Sequence, residues 1–220
     1  MGYNVAIDGP AGAGKSTIAK LVAKEKGYIY VDTGAMYRGM AIHFLDKGIR
    51  AEETDKIVNA LKDAEVTIRY EEGLQQVYLN GRNITDRLRE EAVGKMASLT
   101  SAIPQVRQKL LELQKGLART QDVIMDGRDI GTCVLPDADV KIYLTASVET
   151  RAKRRYDELT EKGIACDLNE IARDIKERDE RDSTREIAPL KQAEDAVLVD
   201  YAAPKRTQKR GFLANFFENG

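Results

Sequence analysis

The chain has no tryptophan, one histidine and two cysteines in 220 residues. Cys133 and Cys166 stand far apart with no second thiol or histidine pair beside either, which excludes a disulfide framework and a cysteine–histidine zinc cluster. Both are expected to be reduced and structural. His43, flanked by Ile42 and Phe44 in a helical pattern, is read as a packed or partly exposed side chain. Long apolar runs are missing too. None approaches the roughly 18 residues needed to cross a bilayer. The N-terminus opens without a basic segment leading into a hydrophobic signal region, and Ala6 stands where a myristoylation signal wants Ser or Thr. A cytoplasmic location is expected, with no membrane partner. Net charge is also scarce. At −1 it gives no global attraction to nucleic acid, so any phosphate-binding surface must come from local arginine clusters.

What is present describes one α/β domain with room for an insertion: 42% hydrophobic and 32% charged residues at 24.5 kDa. The most informative stretch runs from Asn4 to Ala23. Its centre, Gly9-Pro10-Ala11-Gly12-Ala13-Gly14-Lys15-Ser16, matches G-x-x-x-x-G-K-[ST]. In that pattern glycines turn backbone N–H groups inward around phosphate, the lysine reaches the terminal phosphates and the hydroxyl ligates Mg²⁺. Val5-Ala6-Ile7 precedes it as a short strand ending at Asp8, and Thr17 to Ala23 follows with apolar residues at 18, 21 and 22, one face of a helix. A helix N-terminus after such a loop favours an anion, so the stretch predicts a nucleoside triphosphate cradle.

The rest of the chain alternates. Strands are predicted at Tyr28–Val31, Asp122–Asp126, Val140–Leu144 and Ala196–Val199. Helices are predicted over Ala35–Lys47, Glu53–Ala64, Arg87–Leu99, from Pro104 through Leu117, from a cap at Ser147 to about Lys162, and over Leu168 to about Thr184. Repeated strand–helix alternation implies a parallel sheet with helices on both faces and ligands at the C-terminal strand ends. Val66–Tyr70 and Gln75–Leu79, with Glu72-Gly73 between them and Asn80-Gly81 after them, break the pattern as a small antiparallel insertion over roughly residues 65–85.

Three further constellations carry chemistry. Asp126 closes an apolar strand and suits either an Mg²⁺ ligand or a cap. Arg151, Arg154 and Arg155 share a helix side, where forked guanidiniums suit phosphate oxygens, although a solvated basic face has the same spacing. On the last long helix an apolar stripe of Leu168, Ile171, Ala172 and Ile175 continues by helical steps onto Arg178, Asp182 and Arg185. Unpaired buried ions cost several kcal/mol each, so that end must open onto a polar cleft or close into an ion network; the cleft is the favoured reading.

The segments Ile7–Thr17, Asp32-Thr33-Gly34-Ala35-Met36-Tyr37-Arg38, Asp126-Gly127-Arg128-Asp129-Ile130-Gly131-Thr132 and Ile175–Asp182 together resemble the bacterial cytidylate kinase family, in order, from residue 4 to about 200. The resemblance implies a P-loop nucleoside monophosphate kinase fold that transfers the γ-phosphoryl of ATP to CMP or dCMP with Mg²⁺. It implies a core (about 1–50, 86–145 and 185–200), an acceptor-binding insertion (51–85) and an arginine-bearing lid (146–184), in a chain expected to be monomeric and to bind no nucleic acid polymer. By position, residues Gly9 to Thr17 look like the ATP loop, with Lys15, Arg128 and the lid arginines Arg151, Arg154 and Arg155 in catalysis. Arg38 and Arg128 look like ligands of the acceptor phosphate, with Asp32 and Tyr37 beside them. Ser98, Arg107, Asp129 and Arg185 look like the group around cytosine, and Arg178 and Asp182 like contacts to the sugar. Ser16 and Asp126 are the candidate metal ligands. The tail, residues 201–220, departs from the family pattern: Pro204 and four basic residues, Lys205, Arg206, Lys209 and Arg210, give way to a short apolar cluster at Phe212–Phe217.

Overall fold

The structure is a computed structural model that describes residues 2–201; Met1 and the tail from residue 202 onward lie outside the described residues. Five parallel strands form the main sheet: β1 (Asn4–Asp8), β2 (Ile29–Asp32), β6 (Val123–Gly127), β7 (Val140–Thr145) and β8 (Val197–Asp200), in the order β2-β6-β1-β7-β8. β1 lies at the centre, with Asp8 in register with Gly127 on one side and Tyr143 on the other. Its alternation explains the two-sided core. Val5 and Ile7 pack with Ile18 and Val22 of α1 (Lys15–Lys26), whereas Ala6 faces the opposite layer with Met36 and Met40 of α2 (Thr33–Asp46). The second layer also holds α3 (Thr54–Ala60), α4 (Glu91–Thr100) and α5 (Pro104–Thr120), the last opened by proline in its first turn.

The insertion is a three-stranded antiparallel sheet of β3 (Val66–Glu71), β4 (Leu74–Leu79) and β5 (Arg82–Asn83). Glu72 and Gly73, then Asn80 and Gly81, all take positive φ, the conformation that matches the twist of a two-residue hairpin. The small sheet packs on α2 where Gly39 leaves room: a Cβ there would sit 3.3 Å from Val77 and 3.5 Å from Ile84 and Val66.

Three expectations need correction. α2 starts at Thr33, two residues early, because the Asp32 carboxylate accepts the Ala35 N–H at 2.9 Å and caps the helix. The single helix expected over Arg87–Leu99 is divided: Thr85–Arg89 forms a 3₁₀ turn, Glu90 is extended, and α4 begins at Glu91. The apolar stripe of α7 (Leu168–Thr184) is not buried; Leu168 is exposed, Ile171, Ala172 and Ile175 are half-buried, and the buried residue of that helix is Asp182. α7 packs along α6 (Val148–Glu161) instead of on the sheet, and its charged end reaches the domain interior. His43 is packed, with Nε2 2.9 Å from the Ala60 carbonyl. Cys133 is exposed, Cys166 is half-buried, and both are free. No helix among the described residues is long and apolar enough to cross a membrane.

Candidate active site

The phosphate loop leaves the C-terminal end of the central strand. Gly9 has φ 145°, and a Cβ there would lie 1.9 Å from the Leu144 carbonyl oxygen of β7, so no other residue is accommodated. Gly14 has φ 103° and leads directly into α1, whose first turn has neither a side-chain cap nor an acidic residue. Its N–H groups and dipole are thereby left to an anion. Lys15 is buried and donates from Nζ to the carbonyls of Gly9 at 2.7 Å and Pro10 at 2.8 Å. Burial, followed by the nearby Arg128 cation, pushes its pKa down to about 7.

Ser16 and Asp126 meet beneath the loop, the hydroxyl donating to Oδ2 at 2.7 Å, while Tyr30 donates to Oδ1 at 3.1 Å. Asp126 does not cap a helix. Burial and the neighbouring Asp32 raise its pKa. Two adjacent oxygen donors beside a phosphate loop fit Mg²⁺, which takes one or two protein oxygens and completes its shell with phosphate and water.

The helix α6 is capped by Ser147, whose side chain accepts the Thr150 N–H at 3.2 Å. Its three arginines do not behave alike. Arg151 is buried, donating to Ala146 O at 2.9 Å, to Ala11 O at 3.1 Å and to Asp179 Oδ1 at 3.0 Å. Arg154 donates to Tyr201 O at 2.8 Å with its guanidinium 5.0 Å from the Tyr201 ring centroid. Arg155 is exposed and pairs with Glu158 at 3.1 Å. All three line a cavity shared with Gly12, Gly14 and Lys15.

On the other side of Lys15 lies a second cavity of about 290 Å³. Asp129 joins two arginines there: Arg107 in a short ion pair, and Arg185 at 3.4 Å. Arg128 Nε pairs with Asp182 at 2.9 Å, and Arg38 pairs with Asp32 at 2.8 Å. Arg178 also lines the cavity; its Nε is buried without a hydrogen-bond partner, and burial together with Arg128 pushes its pKa down to about 10. Tyr37, beneath the Arg107 guanidinium at 5.6 Å, is pushed up to about 12 by burial. Ser98 reaches the same space from α4 with a buried, unpartnered hydroxyl. The two alternatives for the charged end of α7 are therefore both present, since the ion pairs themselves form the wall of a cleft.

Sequence reasoning passed over several residues here. Gly94 and Ala97 of α4 and Ser101 at its C-terminal cap line the cavity, and their small size at three- and four-residue spacing was the available signal. Gln75 bridges the insertion to β2, accepting the Asp32 N–H at 2.8 Å and donating to Asp32 O at 3.2 Å; nothing in the strand pattern distinguishes it. Asp8 ends β1 as Asp126 nearly ends β6, a parallel that could have drawn attention to it.

A glycine-built phosphate cradle at the C-terminal edge of a parallel sheet, facing an arginine-lined cleft, defines a P-loop kinase scaffold. The family model described as cytidylate kinase matches residues 5–207. A cytidylate kinase of Caldicellulosiruptor saccharolyticus is 52% identical over 197 residues, 90% of this chain and 87% of that protein. One from Leuconostoc mesenteroides is 46% identical over 217 residues, 99% of this chain and 97% of the relative, an alignment long enough to take in most of the tail. Among solved structures, an uncharacterized protein from Eubacterium ventriosum has a TM-score of 0.52 at 11% identity, covering 100% of both chains, a likeness of fold alone. The chain belongs to the cytidylate kinase family.

Proposed function

We propose that the protein transfers the γ-phosphoryl group of ATP to CMP and dCMP, with the phosphate loop holding the donor and the arginine-lined cavity holding the acceptor. The observation that carries this reading is that Lys15 and Ser16 line both cavities, so two ligands would meet phosphate to phosphate across them. An acceptor phosphate oxygen forms the new P–O bond as the bond from the γ-phosphorus to the β,γ-bridging oxygen breaks, and ADP leaves. An acceptor already ionised needs no strong base.

Lys15, Arg128 and the arginines of α6 would spread the developing charge. Arg38, Arg128 and Arg178 supply cations to the acceptor's phosphate and sugar side, while Ser98, Arg107, Asp129 and Arg185 present polar atoms to the base. Ser16 and Asp126 would hold Mg²⁺, which supplies charge neutralisation on the phosphates when bound. In this reading the β3–β5 sheet is the acceptor-side insertion and α6–α7 the lid. The test is ADP formation with CMP, dCMP, UMP and AMP. CMP and dCMP are expected to be fastest, because polar atoms arranged for one base are left unpaired by another. Faster turnover of UMP or AMP would overturn the cytosine assignment.

A further inference from the structure

Asp8 is buried at the end of the central strand, next to the first glycine of the phosphate loop. Its two carboxylate oxygens each accept one backbone N–H from the far side of the site: Ile130 to Oδ1 at 2.8 Å and Gly131 to Oδ2 at 2.7 Å. Those two residues open the π-helical turn Ile130–Val134, immediately after Arg128 and Asp129. In the other direction Asp8 is bonded to Gly9, whose carbonyl holds Lys15 Nζ. One side chain thus joins the loop that carries Lys15 to the loop that carries Arg128 and Asp129.

We propose that Asp8 is a positioning residue that sets the acceptor loop relative to the donor loop. This rests on reading Arg128 and Asp129 as acceptor-side groups. A carboxylate suits the task because it offers two acceptors to two donors, whereas asparagine would turn an N–H toward one of them. Gly131 fits closely on the other side: a Cβ there would lie 3.2 Å from Lys141 Cδ, a tight contact, and 3.4 Å from Asp8 Oδ2, an ordinary one.

Steady-state kinetics of Asp8→Asn and Gly131→Ala, with thermal midpoints, test the inference. Asp8→Asn is expected to raise KM for CMP about tenfold and Gly131→Ala by a smaller factor, while KM for ATP changes less than about twofold, a split that a general loss of stability would not produce. Equal changes in the two KM values, or none, in the variant that folds would overturn it. If the wild-type protein prefers UMP or AMP, the base assignment fails separately, and the same split measured with that acceptor still decides the role of Asp8.

Discussion

The two halves of the site are built by different means. The donor half is centred on one contiguous run of backbone, in which glycines at positive φ and the free N–H groups of α1 create the binding surface, with the α6 arginines lining the same cavity. The acceptor half is made of side chains from β2, α2, α4, α5, the loop after β6 and α7, held by ion pairs. Backbone geometry tolerates the loss of a neighbour, while an ion-pair network does not, because removing one partner strands the other charge.

The sharpest break in this comparison is Lys15→Ala. It removes the cation common to both cavities and is expected to lower kcat about 1,000-fold or more, roughly 4 kcal/mol of transition-state stabilisation, with the fold retained. Retention of most activity would deny that side chain its central role. Next comes Asp182→Ala, which removes the carboxylate paired with Arg128, close to Arg178, whose Nε already lacks a hydrogen-bond partner. It is expected to cost about 3 kcal/mol in urea unfolding and to raise KM for CMP far more than KM for ATP. A loss of stability with both KM values unchanged would make the pair structural only.

The same difference explains what could be read from the chain. The phosphate loop was legible because its chemistry is local: the strand, the glycines and the following helix are neighbours in sequence. The strand alternation and Asn80-Gly81 turn were legible for the same reason. The burial of α7 was not, since periodicity gives a helix a face without saying what it meets; α7 packs along α6, and Ile171 and Ile175 stay half-buried while Asp182 goes inside. Spacing also placed Arg151, Arg154 and Arg155 together, but only folding commits Arg151 to Asp179 and the Ala11 carbonyl. Gln75 acts through a backbone 43 residues away, and no local pattern reveals such a bond.

Gln75 offers a smaller test. Gln75→Ala should release the insertion from β2 at Asp32 and raise KM for CMP a few-fold, with little change in KM for ATP, because each neutral hydrogen bond contributes about 1 kcal/mol. An effect confined to ATP would show that the insertion serves the donor half.

The smallest effect concerns a proton. Burial beside Arg128 pushes the Lys15 pKa down from its ordinary 10.5 to about 7. Between those two values the unfolded chain binds more protons at this residue than the native one, so this group makes stability rise with pH through that window and contributes no change below it. A triphosphate brings negative charge to the ammonium and restores its proton. At pH 8 ATP binding is therefore expected to take up a fraction of a proton, measured by titration calorimetry in buffers of different ionisation enthalpy, and the uptake should shrink toward pH 6, where Lys15 is already charged. Lys15→Met should abolish this part of the uptake. If the variant takes up as many protons as the wild type, the titrating group belongs to the side-chain half of the site and not to the loop.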